Sequence, residues 1–305
     1  MFSAPSQDQA AMNIKSRTVQ VNHLRTHYLS AGLPAGPGQD ITLVLLHGGG
    51  ESALAWRWVM PRLAERFCVL APDLPGSGKS DLVAGRYVAG WYGSFLADFL
   101  DAVQVQRAVV IGHSLGGLAA LQMALNDRSE RVRGLALVSS AGLGRELNPA
   151  LTLMTLPGLG EWSTLWALTP PGQLQRLGVR ASGCFAHPEQ VPAEWYLDQF
   201  WLGMCPGLLG DQLAVSRSLI DHQGQSEIVL DRLSDLAVPT LIVWGDSDQI
   251  IPVAHGHEAA RRVRDGRLAI IPDCGHMPHV ERPGLFLEAL DPFLAELASA
   301  FGSPS

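Results

Sequence analysis

The chain has little of several things, and each shortage closes off a class of protein. It has four cysteines in 305 residues, Cys68, Cys184, Cys205 and Cys274, and no two stand in a Cys-x-x-Cys spacing. A disulfide framework or a thiolate metal site needs paired spacings, so free thiols are expected. Charged residues make up only 17%, with a formal net charge of −7. A nucleic-acid surface needs clustered Lys and Arg, which this balance does not offer. Mild acidity serves solubility rather than naming a partner. No run of about 18 apolar residues marks a membrane span. Residues 1–15 are polar and hold no apolar leader core, so they read as a flexible tail, with a cytoplasmic location by default. Internal repeats and low-complexity segments are missing too.

What is there is an apolar share of 47%, enough for a substantial core, and an alternation of two periodicities. Strand-like runs fall near residues 17–21, 24–30, 41–47, 67–72, 107–113, 132–139, 239–245 and 267–272. Helical patterns fall near 53–66, 88–103, 115–126, 254–264 and 283–298. Strands alternating with helices predict an α/β fold, a mostly parallel eight-stranded sheet with helices on both faces. The alternation stops between Gly144 and about Ser226, a stretch rich in Leu, Trp and Pro that holds four of the eight tryptophans. It is too long for a plain loop in a compact domain. It reads as an inserted helical cap at 145–225, between core segments 16–144 and 226–305.

Three loops carry chemistry. Val109-Val110-Ile111 runs into Gly112-His113-Ser114-Leu115-Gly116, and a helical stretch follows. A Gly-x-Ser-x-Gly turn between strand and helix lifts the serine hydroxyl clear of the backbone, and the flanking glycines leave room for a substrate. A hydroxyl is a weak nucleophile at neutral pH and needs a base and a group to orient that base. The run Thr240 to Trp244 ends in Gly245-Asp246-Ser247-Asp248, a carboxylate loop beyond a strand's C-terminal end, where sites form in open α/β sheets. Leu268 to Pro272 leads likewise into Asp273-Cys274-Gly275-His276. The order Ser114, Asp248, His276 is one of the three known orders of a serine triad.

Five pieces in this order resemble the α/β-hydrolase fold superfamily over most of the chain. They are His47-Gly48-Gly49-Gly50, Pro72 to Asp81, Gly112 to Gly116, Gly245 to Asp248, and Gly275-His276. The resemblance implies catalysis by Ser114, Asp248 and His276. It also implies an oxyanion hole made by the backbone N–H of Leu115 and that of Gly49, with Gly50 as the alternative. The Gly-x-x-Asp pattern of the superfamily fits Asp248 better than Asp246; Glu146 is a remote third acid. His113, Trp162, Trp166 and Met277 are candidates for touching substrate. His47 is expected to make a structural hydrogen bond below the oxyanion turn. His255 and His257 read as surface histidines, because a metal site would need a third ligand nearby. Gly78-Lys79-Ser80 resembles the end of a phosphate loop, but Asp73 stands where that motif needs glycine. No cofactor and no metal are expected.

The Trp- and Leu-rich insertion favours cleavage of small to medium apolar carboxylic esters. The glycine turn also resembles that of carbon–carbon bond hydrolases acting on ketone products of aromatic ring cleavage. Those enzymes usually carry Asn before the nucleophile and Trp after the catalytic histidine, where this chain has His113 and Met277. A cofactor-free perhydrolase shares the triad. A hydrolase-fold receptor for a small ligand is the non-enzymatic alternative. The reading leaves room for a homodimer.

Overall fold

The computed structural model of the chain describes residues 14–32, 41–83, 87, 90–127 and 130–301. Most of the expected tail lies outside them. Lys15, assigned to that tail, instead opens the first strand and pairs with Ser30.

Eight strands form one sheet: β1 (Lys15–Val21), β2 (Leu24–Ala31), β3 (Thr42–Leu46), β4 (Cys68–Pro72), β5 (Ala108–His113), β6 (Val132–Val138), β7 (Thr240–Gly245) and β8 (Gly266–Ile271). Their spatial order is β1-β2-β4-β3-β5-β6-β7-β8. Only β2 runs antiparallel to its neighbours; every other pairing from β4 to β8 is parallel. The central strands are unbroken apolar runs because both faces are covered: Leu43, Val44, Leu45 and Leu46 are at most 1% exposed. β1, an edge strand, is mostly exposed and polar.

Helices cover both faces. On one side α2 (Trp91–Ala102), α3 (Leu115–Asn126) and α9 (Ala254–Arg262) pack Phe95, Leu121 and Ala259 into one core. On the other, α1 (Met60–Ala64) and α11 (Pro283–Phe301) pack Met60, Phe286 and Phe293 into a second. Each large apolar side chain so buried contributes about 1.5–3 kcal/mol. The single helix expected over 53–66 is two pieces, a 3-10 turn at Ala53–Trp56 and then α1. Pro61 explains the second start, since proline suits a helix's first turn.

Between β6 and β7 lie α4 (Pro149–Met154), α5 (Leu159–Ala167), α6 (Pro170–Cys184), α7 (Ala193–Gly203) and α8 (Pro206–Leu219). A two-residue ladder follows, Ile220–Asp221 against Gly224–Gln225. Three of these helices open on proline, and Thr169 caps α6 by accepting the Gly172 N–H at 3.2 Å. A short α10 (Pro278–Glu281) precedes α11. No helix among the described residues is long and apolar enough to cross a membrane.

Candidate active site

Ser114 sits where β5 turns into α3, with φ 51° and ψ −114°. A non-glycine residue at positive φ costs of order 1–3 kcal/mol and persists only where its surroundings hold it. Here they do. The Ser114 N–H donates to Val138 O at 2.9 Å, and its carbonyl accepts from Gly117 N (2.9 Å) and Ala141 N (3.0 Å). The bend is also sterically exclusive. A Cβ on Gly112 would stand 2.3 Å from Gly116 O, and one on Gly116 would stand 2.4 Å from Leu46 O.

His276 follows β8 and Asp248 follows β7. His276 Nδ1 lies 2.8 Å from Asp248 Oδ2. The other oxygen of Asp248 accepts the N–H groups of Ile250 (2.8 Å) and Ile251 (3.0 Å), so the carboxylate is aimed from both sides. Burial pushes the Asp248 carboxyl up, but His276 and these two N–H donors outweigh it and hold it below the usual 3.8. Asp246, the rival acid, is exposed and bonds Ser247 and the Cys274 N–H instead. Glu146 pairs with His255 at 2.8 Å. His255 is thus a buried, paired residue, 6% exposed, rather than the surface histidine expected.

Ser114 and His276 line one cavity of about 220 Å³, together with Gly49, Gly50 and Leu115. A Cβ on Gly49 would meet nothing within 4 Å, whereas Gly50 (φ 74°) is closely covered by the Arg180 guanidinium. His47 underpins the turn. Leu74 N–H donates to its Nε2 at 2.9 Å, so the ring proton sits on Nδ1, which donates to Gly48 O at 2.8 Å. The Gly78-Lys79-Ser80 segment wraps Asp73: the Lys79 N–H donates to its carboxylate at 2.8 Å. That is a turn built around a carboxylate, not a phosphate cradle.

The remaining cavity wall comes largely from the inserted helices. Leu147 and Leu151 around α4, and Val215 and Leu219 on α8, face Leu118, Ile250 and Ile251 of the core. Polar groups enter at Arg180, Gln212, Gln225 and Glu227. Three of the expected contacts are corrected here. Trp162 and Trp166 do not line the cavity; they stack on each other at 6.0 Å and are 60% and 37% exposed. The reason is the register of α5, whose inward positions are Gly160 and Ala167. Met277 is fully buried against Phe185 and Trp195, away from the cavity lining. His113 does line it.

Sequence reasoning missed Glu51, which is 2% exposed beneath the glycine turn. It accepts the Gly48 N–H at 3.4 Å, lies 3.5 Å from His113 Nδ1, and faces Arg180 of α6 at 3.9 Å. Burial raises its carboxyl, yet His113, Arg180 and His279 together bring it down to about 2. His113 Nε2 in turn donates to the carbonyl of His276 at 2.9 Å, and the His276 N–H donates to Cys184 O at 2.7 Å. Glycine turn, elbow, base loop and α6 are therefore tied through one buried group. Glu51, His113 and His279 bring one potential ligand atom each within 4.8 Å, but the positive charge that faces Glu51 is the Arg180 guanidinium. The only sequence signal was a carboxylate placed immediately after Gly48-Gly49-Gly50.

The profile of the alpha/beta hydrolase family matches residues 43–289. An uncharacterized protein of Mycobacterium tuberculosis is 32% identical over 297 residues, covering 95% of this chain and 83% of that protein. The 2-hydroxy-6-oxo-6-phenylhexa-2,4-dienoate hydrolase of Burkholderia cepacia is 28% identical over 266 residues, 85% of this chain and 89% of that enzyme. A pimeloyl-[acyl-carrier protein] methyl ester esterase of Aeromonas hydrophila is 29% identical over 261 residues, 84% of this chain and 96% of that enzyme. With its mostly parallel sheet, strained serine bend and this likeness to both kinds of enzyme, the chain belongs to the alpha/beta hydrolase family and is an enzyme of the hydrolase class.

Proposed function

We propose that the protein is a serine hydrolase of small to medium apolar carboxylic esters, acting through an acyl-enzyme on Ser114. One observation carries this reading: a serine held at φ 51° opens into the same cavity as a histidine bonded to a buried aspartate. In this mechanism His276 takes the hydroxyl proton as Ser114 Oγ attacks the ester carbonyl. Asp248, acceptor-only when ionised, keeps the imidazole proton on Nδ1 and offsets the charge the ring gains. The N–H groups of Leu115 and Gly49 receive the developing oxyanion, and losing one such donor costs about 3 kcal/mol. His276 returns its proton to the leaving alcohol, then activates the water that frees the acid.

The apolar wall of Leu118, Leu151, Val215 and Leu219 supports an apolar acyl or alcohol group. The segment 145–225 acts as the cap that sets this preference. The dienoate hydrolase relative supports a second substrate class, a dienone cleaved at a carbon–carbon bond. The departures at His113 and Met277 weigh against it.

The test is hydrolysis of p-nitrophenyl esters from acetate to decanoate, beside one ring-cleavage dienone, with Ser114→Ala as control. Ester turnover that vanishes in the variant, with weak dienone cleavage, is the expected result. Strong dienone cleavage with poor ester turnover moves the assignment to carbon–carbon hydrolysis. Silence on both overturns the ester reading and points to a ligand-holding role or to another substrate class.

A further inference from the structure

Away from this cavity a second serine is hydrogen-bonded to a histidine that is itself bonded to an aspartate. Ser16 Oγ lies 2.7 Å from His27 Nε2, and His27 Nδ1 lies 2.7 Å from Asp73 Oδ2. Ser16 is exposed on β1, whereas His27 and Asp73 are 6% and 2% exposed. Burial opposes charge on Asp73, but His27 and the N–H groups of Lys79 and Ala53 outweigh it and hold the carboxyl below 3.8. An ionised carboxylate only accepts, so the His27 ring proton sits on Nδ1 and the Nε2 lone pair faces the Ser16 hydroxyl. This is the tautomer a general base requires.

The pair is also rigid. The Asp73 N–H donates to His27 O at 2.9 Å. The His27 N–H donates to Ser80 Oγ at 3.0 Å, and Ser80 Oγ donates to Asp73 O at 2.8 Å. A structural role would be filled by the His27–Asp73 bond alone. The further bond to an exposed hydroxyl supplies a nucleophile that solvent and solutes can reach.

We infer that Ser16 is a second acylation site, a surface hydroxyl that takes an acyl group from activated aryl esters and keeps it. His27 Nε2 accepts the Oγ proton while Oγ bonds to the ester carbonyl carbon. The bond from that carbon to the phenolic oxygen breaks, and the leaving oxygen takes the proton from Nε2. The products are an acylated Ser16 and a free phenol. Ser16 lies in a regular antiparallel ladder opposite Leu29, with no glycine turn against it among the described residues, so its oxyanion is left to water. Loss of preorganised donors slows such chemistry by about 10²–10³-fold, which makes the acyl group on Ser16 persistent.

The experiment uses the full chain with Ser114→Ala, exposed to p-nitrophenyl acetate and read by intact mass and peptide mapping. One acetyl group on Ser16 is expected, absent when Ser16→Ala is added. Its rate should exceed that at the exposed serines Ser94 and Ser299 by about a hundredfold, the usual worth of a general base. His27→Gln should remove that advantage. Equal rates at Ser16, Ser94 and Ser299 overturn the inference, whether or not the His27 variant folds. So does acetylation confined to Lys15 or Lys79, the chain's only lysines. Turnover of the unmutated protein is read separately, so a protein without esterase activity tests Ser16 equally well.

Discussion

Among the described residues two hydrogen-bonded His–Asp pairs stand beside a serine, and they differ in backbone and surroundings. In one, Ser114 is bent to φ 51° by the packing of Gly112 against Gly116, and it opens into a cavity with a glycine turn opposite. In the other, Ser16 lies on an edge strand in a regular ladder, and its partners hold β2 to the β4 loop. The pairs show similar oxygen–nitrogen separations, 2.8 Å and 2.7 Å. A carboxylate that orients an imidazole is thus a general structural device. What makes one of them a centre for turnover is the strained backbone, the cavity and the donors placed for the transition state.

The largest expected effect separates the two by chemistry. Ser114→Ala or His276→Ala should lower ester turnover by about 10⁴–10⁶-fold at saturating substrate, measured with p-nitrophenyl butyrate. A loss of less than tenfold would mean that turnover does not run through Ser114.

The next effect separates them by backbone. Gly112→Ala places a Cβ 2.3 Å from Gly116 O and should destabilise the protein by about 2–4 kcal/mol, read as a lower urea midpoint. Ser16→Thr on the exposed edge should stay within about 0.5 kcal/mol. Equal effects at the two positions would erase the distinction between a strained and a relaxed serine.

A smaller effect concerns the structural share of the second pair. Asp73 is held below 3.8, so its stabilisation is complete above that value and is lost as pH falls through its lower folded value. Asp73→Asn should therefore cost about 1–3 kcal/mol at pH 7 and flatten the acid limb of the stability curve. An acid limb identical to the unmutated protein's would remove Asp73 as its cause. The smallest effect tests the cavity wall. Leu151→Trp should lower kcat/KM for decanoate about tenfold or more and leave acetate within twofold, since apolar pocket changes are worth about 1–3 kcal/mol. A uniform change across the series would place Leu151 outside the acyl path.

Much of this was legible along the chain. The eight strands fall within a residue or two of their expected limits, because parallel core strands must be continuous apolar runs. The loops bearing Ser114, Asp248 and His276 were legible for the same reason: each follows such a run. The inserted helices were legible only as an interruption. Trp162 and Trp166 look like pocket residues by type, yet the turn of α5 that directs Gly160 and Ala167 inward turns them to solvent. Glu51 was missed because one acidic residue after a glycine turn looks like any surface carboxylate. Ser16 stands 11 residues from His27, and His27 stands 46 from Asp73, so their pairing leaves no local pattern.

The sequence by itself determined the α/β alternation, the glycine-flanked bend and the chain order of nucleophile, acid and base. These are properties of neighbouring residues, set by backbone sterics and by the periodicity of apolar side chains. Only the tertiary structure decided which helical faces enclose the cavity, that Arg180 meets Glu51 beneath the glycine turn, and that a second serine stands against a buried imidazole. Those depend on the sheet order β1-β2-β4-β3 and on the fold-back of α6, which bring together residues far apart in sequence. Contacts of that kind are fixed by the packing of whole elements, and the local sequence carries no term for them.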